Sequence, residues 1–343
     1  MLPLQPPAPL PAPAPALFDT LHIAFNLPYC IMLWSRLRSC ALLRLRPHGV
    51  SCRLESAERA HLPRVLDLPM SYGLMRVIVT HPRQPPHFPP VLLIGGTAQC
   101  CTSWGGIAPA IAASGRIVIS FDARGQGSTH VCQADNFDMA AHVGDLRALL
   151  LALRDELTAQ PVDVAGFSFG GRLALAFAAE HPRFVRRLVV TGVPARRDET
   201  AAKIFDSWRA HLRQGNLREM ISSQIAACHS PTFLSKFTNR QLQLLTSATV
   251  AQNTLAALQG LLRDSHVSDE SNAYHTINLA HCVAAHRIPV RLIGGTLDAV
   301  APLQEVRWLA ADNGWDLRVL ESGHNVPAEL PLQWRQSVLE HLS

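Results

Sequence analysis

Among 343 residues, one short stretch joins a candidate nucleophile to the backbone that a nucleophile needs. Val162-Asp163-Val164-Ala165 reads as a buried strand, Gly166-Phe167-Ser168-Phe169-Gly170 follows it, and Gly171-Arg172-Leu173-Ala174-Leu175-Ala176 reads as the start of a helix. A serine at such a strand-to-helix turn, with glycines two residues before and two after, stands exposed at the carboxyl edge of a sheet. The small residues let strand and helix approach without a Cβ between them, while the serine itself takes a cramped conformation. A serine hydroxyl attacks well only if a base takes its proton and an acid orients that base. Downstream, Pro289-Val290-Arg291-Leu292-Ile293-Gly294-Gly295 reads as a strand that delivers Asp298 to the next turn. Leu317-Arg318-Val319-Leu320 reads as another, with His324 on its following loop. Read alone, Asp298 could instead cap a helix that starts near Pro302, and His324 could be an ordinary loop histidine.

The elements that must position these residues alternate along the chain. Residues 65–80 read as a hairpin around Ser71-Tyr72-Gly73, and further strands are expected near 90–95, 116–122, 162–166, 187–192, 289–294 and 316–320. Helices fill the gaps, including an apolar one over 139–158 and a C-terminal one over 331–342. Such alternation implies an α/β architecture, a mostly parallel sheet with helices on both faces. Roughly ninety residues between the strand at 187 and the one at 289 have helical periodicity and few strand signals.

With Ser168, Asp298 and His324 in that order, each on a turn or loop after a strand, the chain resembles the α/β-hydrolase superfamily from about residue 65 to its C-terminus. The resemblance implies an α/β-hydrolase core over 61–195 and 286–343 and a helical cap over 196–285. It also implies roles: Ser168 as nucleophile, His324 as general base and then acid, and Asp298 as the group that holds the imidazole tautomer. An oxyanion hole would take one N–H from Phe169. By resemblance to the family's His-Gly-x loop that ends in a tryptophan, the other N–H would come from Thr97 in Gly95-Gly96-Thr97-Ala98-Gln99-Cys100-Cys101-Thr102-Ser103-Trp104. This chain departs from the pattern with Gly95 where histidine is common. A second similar segment, Asp122-Ala123-Arg124-Gly125-Gln126-Gly127-Ser128-Thr129, matches an Asp-x-Arg-Gly-x-Gly-x-Ser turn with Thr129 in the serine's place. Asp122 and Arg124 read as loop-fixing residues between glycines of positive φ, the alternative being an Arg124 that faces substrate.

Phe167 of the elbow is a candidate to line the substrate pocket, as are Phe205, Trp208, Phe233, Phe237 and Tyr274 of the cap, these five against the alternative that they form the cap's own core. Serine at the nucleophile position disfavours the epoxide hydrolases and haloalkane dehalogenases of this fold, which use a carboxylate there. The expected chemistry is cleavage of a small or medium ester, thioester or lactone, and the elbow and the Asp122 turn look closest to the enol-lactonase and haloperoxidase-like group. Two other readings stay open: a catalytically silent fold that binds a ligand or partner, and an acyltransferase.

Composition bounds the rest. A chain of this length with 48% hydrophobic residues can bury one large core. Its excess charge lies at the front, where residues 1–64 hold seven arginines against three acids, a balance of +4 in a chain of +5. That places the basicity in a leader and argues against a nucleic-acid partner. The leader is proline-rich over residues 1–17 and then rich in arginine, serine and leucine, which gives two readings: a disordered extension, or an organelle transit segment with Met32 as a start. Within its apolar part, residues 18–45, the longest uncharged run, residues 20–35, is shorter than the roughly 20 residues that span a bilayer, so any membrane contact would be at the surface. Eight cysteines at uneven positions, with no Cys-x-x-Cys, point to a reduced intracellular compartment. The pairs His281-Cys282 with His286, and His130 with Cys132, lack matched zinc spacing, so neither a metal nor a cofactor is expected beside the small-molecule substrate.

Overall fold

The computed structural model describes residues 63–131, 136–157, 161–264 and 268–343. The leader, with its transit-segment and membrane-surface readings, lies outside the described residues, as does Cys132. Eight strands form one sheet in the order β1-β2-β4-β3-β6-β7-β8-β9, with the two-residue β5 (His130–Val131) paired to β2. The strands are β1 (Arg64–Met70), β2 (Gly73–Thr80), β3 (Val91–Ile94), β4 (Val118–Phe121), β6 (Val162–Phe167), β7 (Val185–Thr191), β8 (Val290–Gly295) and β9 (Asp316–Leu320). From β4 to β9 every neighbouring pair is parallel, whereas the β1–β2 hairpin joins β4 in antiparallel fashion. All the expected strands are present; β5 alone was too short to leave a signal.

Alternation along the central strands explains why helices cover both faces. Val91 and Leu93 of β3 pack on one side with α1 (Ala108–Ala112) and α12 (Pro331–Leu342). Leu92 and Ile94 face the other, toward α2 (Met139–Ala152), α3 (Phe169–Glu180) and α10 (Leu303–Asn313). Each fully buried Leu or Ile of this kind contributes about 1.5–3 kcal/mol. The apolar pattern that suggested a helix to residue 158 outruns α2. After Ala152 the hydrogen bonds tighten into turns, such as Glu156 N–H to the Leu153 carbonyl at 3.0 Å, which still bury Leu153 and Leu157.

Between β7 and β8 run only helices: α4 (Glu199–Arg213), α5 (Leu217–Cys228), α6 (Pro231–Leu234), α7 (Asn239–Ala251), α8 (Leu255–Asp264) and α9 (Thr276–Ala285). Their apolar side chains, Phe205, Trp208, Met220, Ile221, Leu258 and Leu261 among them, are continuous with the core on the α2–α3 face. On the opposite face α12 ends on a buried charge cluster. Asp163 of β6 is fully buried and accepts from Arg116 at 2.9 Å and from Arg186 at 2.6 Å, while both guanidinium groups also donate to the Leu342 carbonyl. The same helix places Trp334, whose Nε1 donates to Thr191 Oγ1 at the end of β7. No helix among the described residues is long and apolar enough to cross a membrane.

Candidate active site

Ser168 sits between β6 and α3 at φ 54° and ψ −118°, a region that costs a non-glycine residue about 1–3 kcal/mol. Neighbours hold it there. Its N–H donates to the Thr191 carbonyl at 2.8 Å, and its own carbonyl accepts from Gly171 and Arg172 at 2.9 and 3.1 Å. The flanking glycines are dictated by close approach: a Cβ on Gly166 would overlap the Gly170 carbonyl, and one on Gly170 would overlap the Ile94 carbonyl.

Asp298 and His324 arrive from the loops after β8 and β9. Ser168 Oγ and His324 Nε2 are 2.8 Å apart, as are His324 Nδ1 and Asp298 Oδ2. The other oxygen, Oδ1 of Asp298, accepts from the Val300 and Ala301 amides at 2.8 and 2.7 Å, so the carboxylate both starts the next turn and holds the imidazole. Carboxylate and ring are buried, which strengthens the charge-assisted bond between them. The ring lies 5.1 Å from that of Phe167 and against Gly192, where a Cβ would come within 3.0 Å of His324 Cε1.

Glu329 anchors the histidine loop to the helical insertion. Its Oε1 accepts from the Gly323 and Ser230 amides at 3.1 and 2.8 Å, and its Oε2 accepts from Ser230 Oγ at 2.5 Å. Beside it, Asn325 N–H donates to the Cys228 carbonyl at 2.8 Å, and Asn325 Nδ2 donates to His229 Nε2 at 3.1 Å. Burial keeps His229 below the usual imidazole range and pushes the Cys228 thiol up, the charges of Asp298 and Glu329 adding to the latter.

The loop after β3 passes directly over Ser168, since a Cβ on Gly96 would lie 3.3 Å from that of Ser168. Gln99, not a histidine, organises it: Gln99 Oε1 accepts from Gly96 N–H at 2.8 Å, and Gln99 N–H returns to the Gly96 carbonyl at 3.2 Å. Ala98 between them takes φ 64°, rare without glycine. Two side chains of the insertion complete the brace. Gln224 Nε2 donates to the Thr97 carbonyl at 3.1 Å and Asn253 Nδ2 to the Ala98 carbonyl at 3.2 Å. Sequence reading missed all three: Gln224 and Asn253 lie 127 and 155 residues from their partners. Only the spacing of Gln99 from Gly96 was a signal for a turn.

The Asp122 segment is structural. Asp122 accepts from Cys101 N–H at 2.5 Å and Ser128 N–H at 2.6 Å, joining two loops, and Thr129 Oγ1 donates to the Asp122 carbonyl at 2.8 Å. Arg124 forks onto Asp145 at 2.8 and 3.0 Å and stacks 4.2 Å above Tyr72 instead of facing a cavity. Gly125 and Gly127 have the expected positive φ, 74° and 57°.

A cavity of about 390 Å³ opens from Ser168 and His324. Phe205 lines it, whereas Trp208 does not: one helical turn on, it is buried in the insertion's core with its ring 4.9 Å from Phe205. Phe167 contacts the histidine and is also outside the lining. Phe233 stacks on His229, Phe237 packs on Phe233, and Tyr274 Oη donates to Glu180 at 2.6 Å, so these three are structural as well. In place of the expected aromatics the wall carries arginines, Arg172, Arg196, Arg197 and Arg209.

Comparison with known proteins agrees with this architecture. Pyrrolizixenacetamide deacetylase of Xenorhabdus hominickii is 26% identical over 249 residues, 71% of this chain and 86% of the relative. An alpha/beta hydrolase enzyme from a Medee basin deep-sea metagenome library superposes with a TM-score of 0.68 at 18% identity, covering 81% of this chain and 96% of its own. The enol-lactonase of Burkholderia xenovorans gives 0.63 at 17% identity, covering 78% and 96%. Residues 89–329 match the family model described as alpha/beta hydrolase fold, and with the sheet order and elbow described above, the chain belongs to that family.

Proposed function

We propose that the protein is a serine hydrolase that cleaves a small or medium ester, thioester or lactone through an acyl-enzyme. The observation that carries this reading is the unbroken chain from Ser168 Oγ through His324 to Asp298, with both links at 2.8 Å. A carboxylate at Nδ1 keeps that nitrogen protonated and leaves Nε2 free to take the serine proton. As Oγ attacks the substrate carbonyl, His324 becomes imidazolium and the carbonyl oxygen becomes an oxyanion, which the Phe169 and Thr97 amides stabilise. Losing one such donor costs about 3–4 kcal/mol in other serine hydrolases. His324 then protonates the leaving alcohol or thiol. A water molecule, deprotonated by the same ring, releases the acid from Ser168.

Helices of residues 196–285 act as the cap. Their hold on the Thr97 and Ala98 carbonyls, through Gln224 and Asn253, supports catalysis over a silent fold, because it braces a loop that has Gly95 where a histidine is common. A fluorophosphonate probe labels the wild type and not Ser168→Ala, and His324→Ala lowers turnover of a short p-nitrophenyl ester by about 10⁴-fold or more. An unlabelled wild type overturns the reading. Product analysis with an added alcohol separates hydrolysis from acyl transfer.

A further inference from the structure

The cavity wall beside Ser168 holds four arginines, Arg172, Arg196, Arg197 and Arg209, against two carboxylates, Asp206 and Glu270. Both acids are exposed and engaged by the outer arginines: Asp206 pairs with Arg209 at 3.2 Å and Glu270 with Arg196 at 2.6 Å. Arg172 and Arg197 are the less accessible pair. Arg172 is only 5% exposed and donates to the Tyr274 carbonyl at 3.2 Å, and Arg197 is half-buried with its guanidinium 4.3 Å above the Phe205 ring.

Burial first, and neighbouring guanidinium groups second, disfavour the charged form of the two inner arginines. Burial, then the charge of Arg197, bring Arg172 down to about 9; burial, then the charge of Arg209, bring Arg197 down to about 10. Arg172 also lies in the first turn of α3, where the positive end of the helix disfavours a cation. The same helix end and guanidinium groups act together on anything bound next to Ser168. An anion there relieves the repulsion and meets donors whose planar forks match a carboxylate or phosphate.

We propose that the arginine wall is a subsite for an anionic group on the substrate, so that the preferred ester, thioester or lactone carries a second, uncleaved carboxylate or phosphate. The inference rests on the hydrolase reading and adds a substrate class to it.

Matched esters test it. Mono-4-nitrophenyl adipate is compared with its neutral methyl ester, and 4-nitrophenyl 5-phosphonopentanoate with its dimethyl phosphonate. The charged member of at least one pair is preferred by about tenfold or more in kcat/KM, mostly through KM. Which pair shows the preference tells carboxylate from phosphate. Arg197→Gln reduces the preference to about threefold or less, Arg197→Lys restores part of it, and melting curves report whether each variant is folded. Arg209→Gln is the second variant if Arg197→Gln does not fold. Calorimetry with Ser168→Ala shows monomethyl adipate binding about tenfold more tightly than dimethyl adipate.

Equal turnover of charged and neutral esters in both pairs overturns the subsite and leaves the hydrolase standing. No turnover of any ester, with tight monomethyl adipate binding, overturns the hydrolase and leaves the anion subsite. Neither turnover nor binding overturns both.

Discussion

Two backbone segments flank the reacting position, and they are held in different ways. The elbow at Ser168 is set by its own neighbourhood: two glycines that must be glycine, a strand end at Thr191, and the first turn of α3. The loop at Gly95–Gln99 is set at a distance, by one local glutamine and by Gln224 and Asn253 from the insertion. The segment after α7 ties further: Gln252 accepts from Cys100 Sγ at 3.0 Å, its carbonyl accepts from Gly127 N–H at 2.8 Å, and Asn253 bridges Gln126. On the proposed function, the Phe169 donor belongs to a core turn and the Thr97 donor to a contact between the core and the helical insertion.

Breaking the elbow has the larger effect. Gly170→Ala forces a methyl group onto the Ile94 and Gly95 carbonyls, neither of which is a flexible side chain, and lowers stability by about 3 kcal/mol in a urea titration. Acid probes the same region next. His142 packs 5.0 Å from the Phe169 ring and is fully buried, so its pKa falls from 6.5 to about 3. A depressed histidine pKa means that the unfolded chain takes up a proton below pH 6.5 while the folded one does not. Stability from this group is present above pH 6.5 and is lost as pH falls toward 3, by about 2 kcal/mol at pH 5. His142→Gln flattens that part of the stability curve; an unchanged slope would show that other groups dominate it.

Loop variants have smaller effects, and on rate more than on folding. Gln99→Ala strips the acceptor from Gly96 N–H and lowers kcat by about tenfold with KM little changed. Gln224→Ala and Asn253→Ala each lower kcat by about threefold, and the double variant departs from additivity because both brace one loop. Additive effects would mean that the two side chains act independently of each other.

Much of the site was legible before folding was considered. Gly-x-Ser-x-Gly after an apolar run, and Asp298 and His324 after later ones, are local patterns, because strand ends and turns are written in nearby residues. The hairpin and the helix at Pro331–Leu342 were legible for the same reason. What could not be read are partners far apart in the chain. Phe205 and Trp208, three residues apart on one helix, look equivalent in sequence, yet one lines the cavity and the other fills the core.

By itself, then, the sequence determined the sheet, the elbow and the order of the three polar residues, since hydrophobic period and glycine placement act over a few residues. Only the tertiary structure decided that Gln99, Gln224 and Asn253 hold the loop in the absence of a histidine at Gly95. It also decided that the wall beside Ser168 is made of arginines from α3 and α4 and the turn before α4. Those outcomes depend on where whole helices pack against the sheet, a sum over many weak apolar contacts that no short stretch of residues contains.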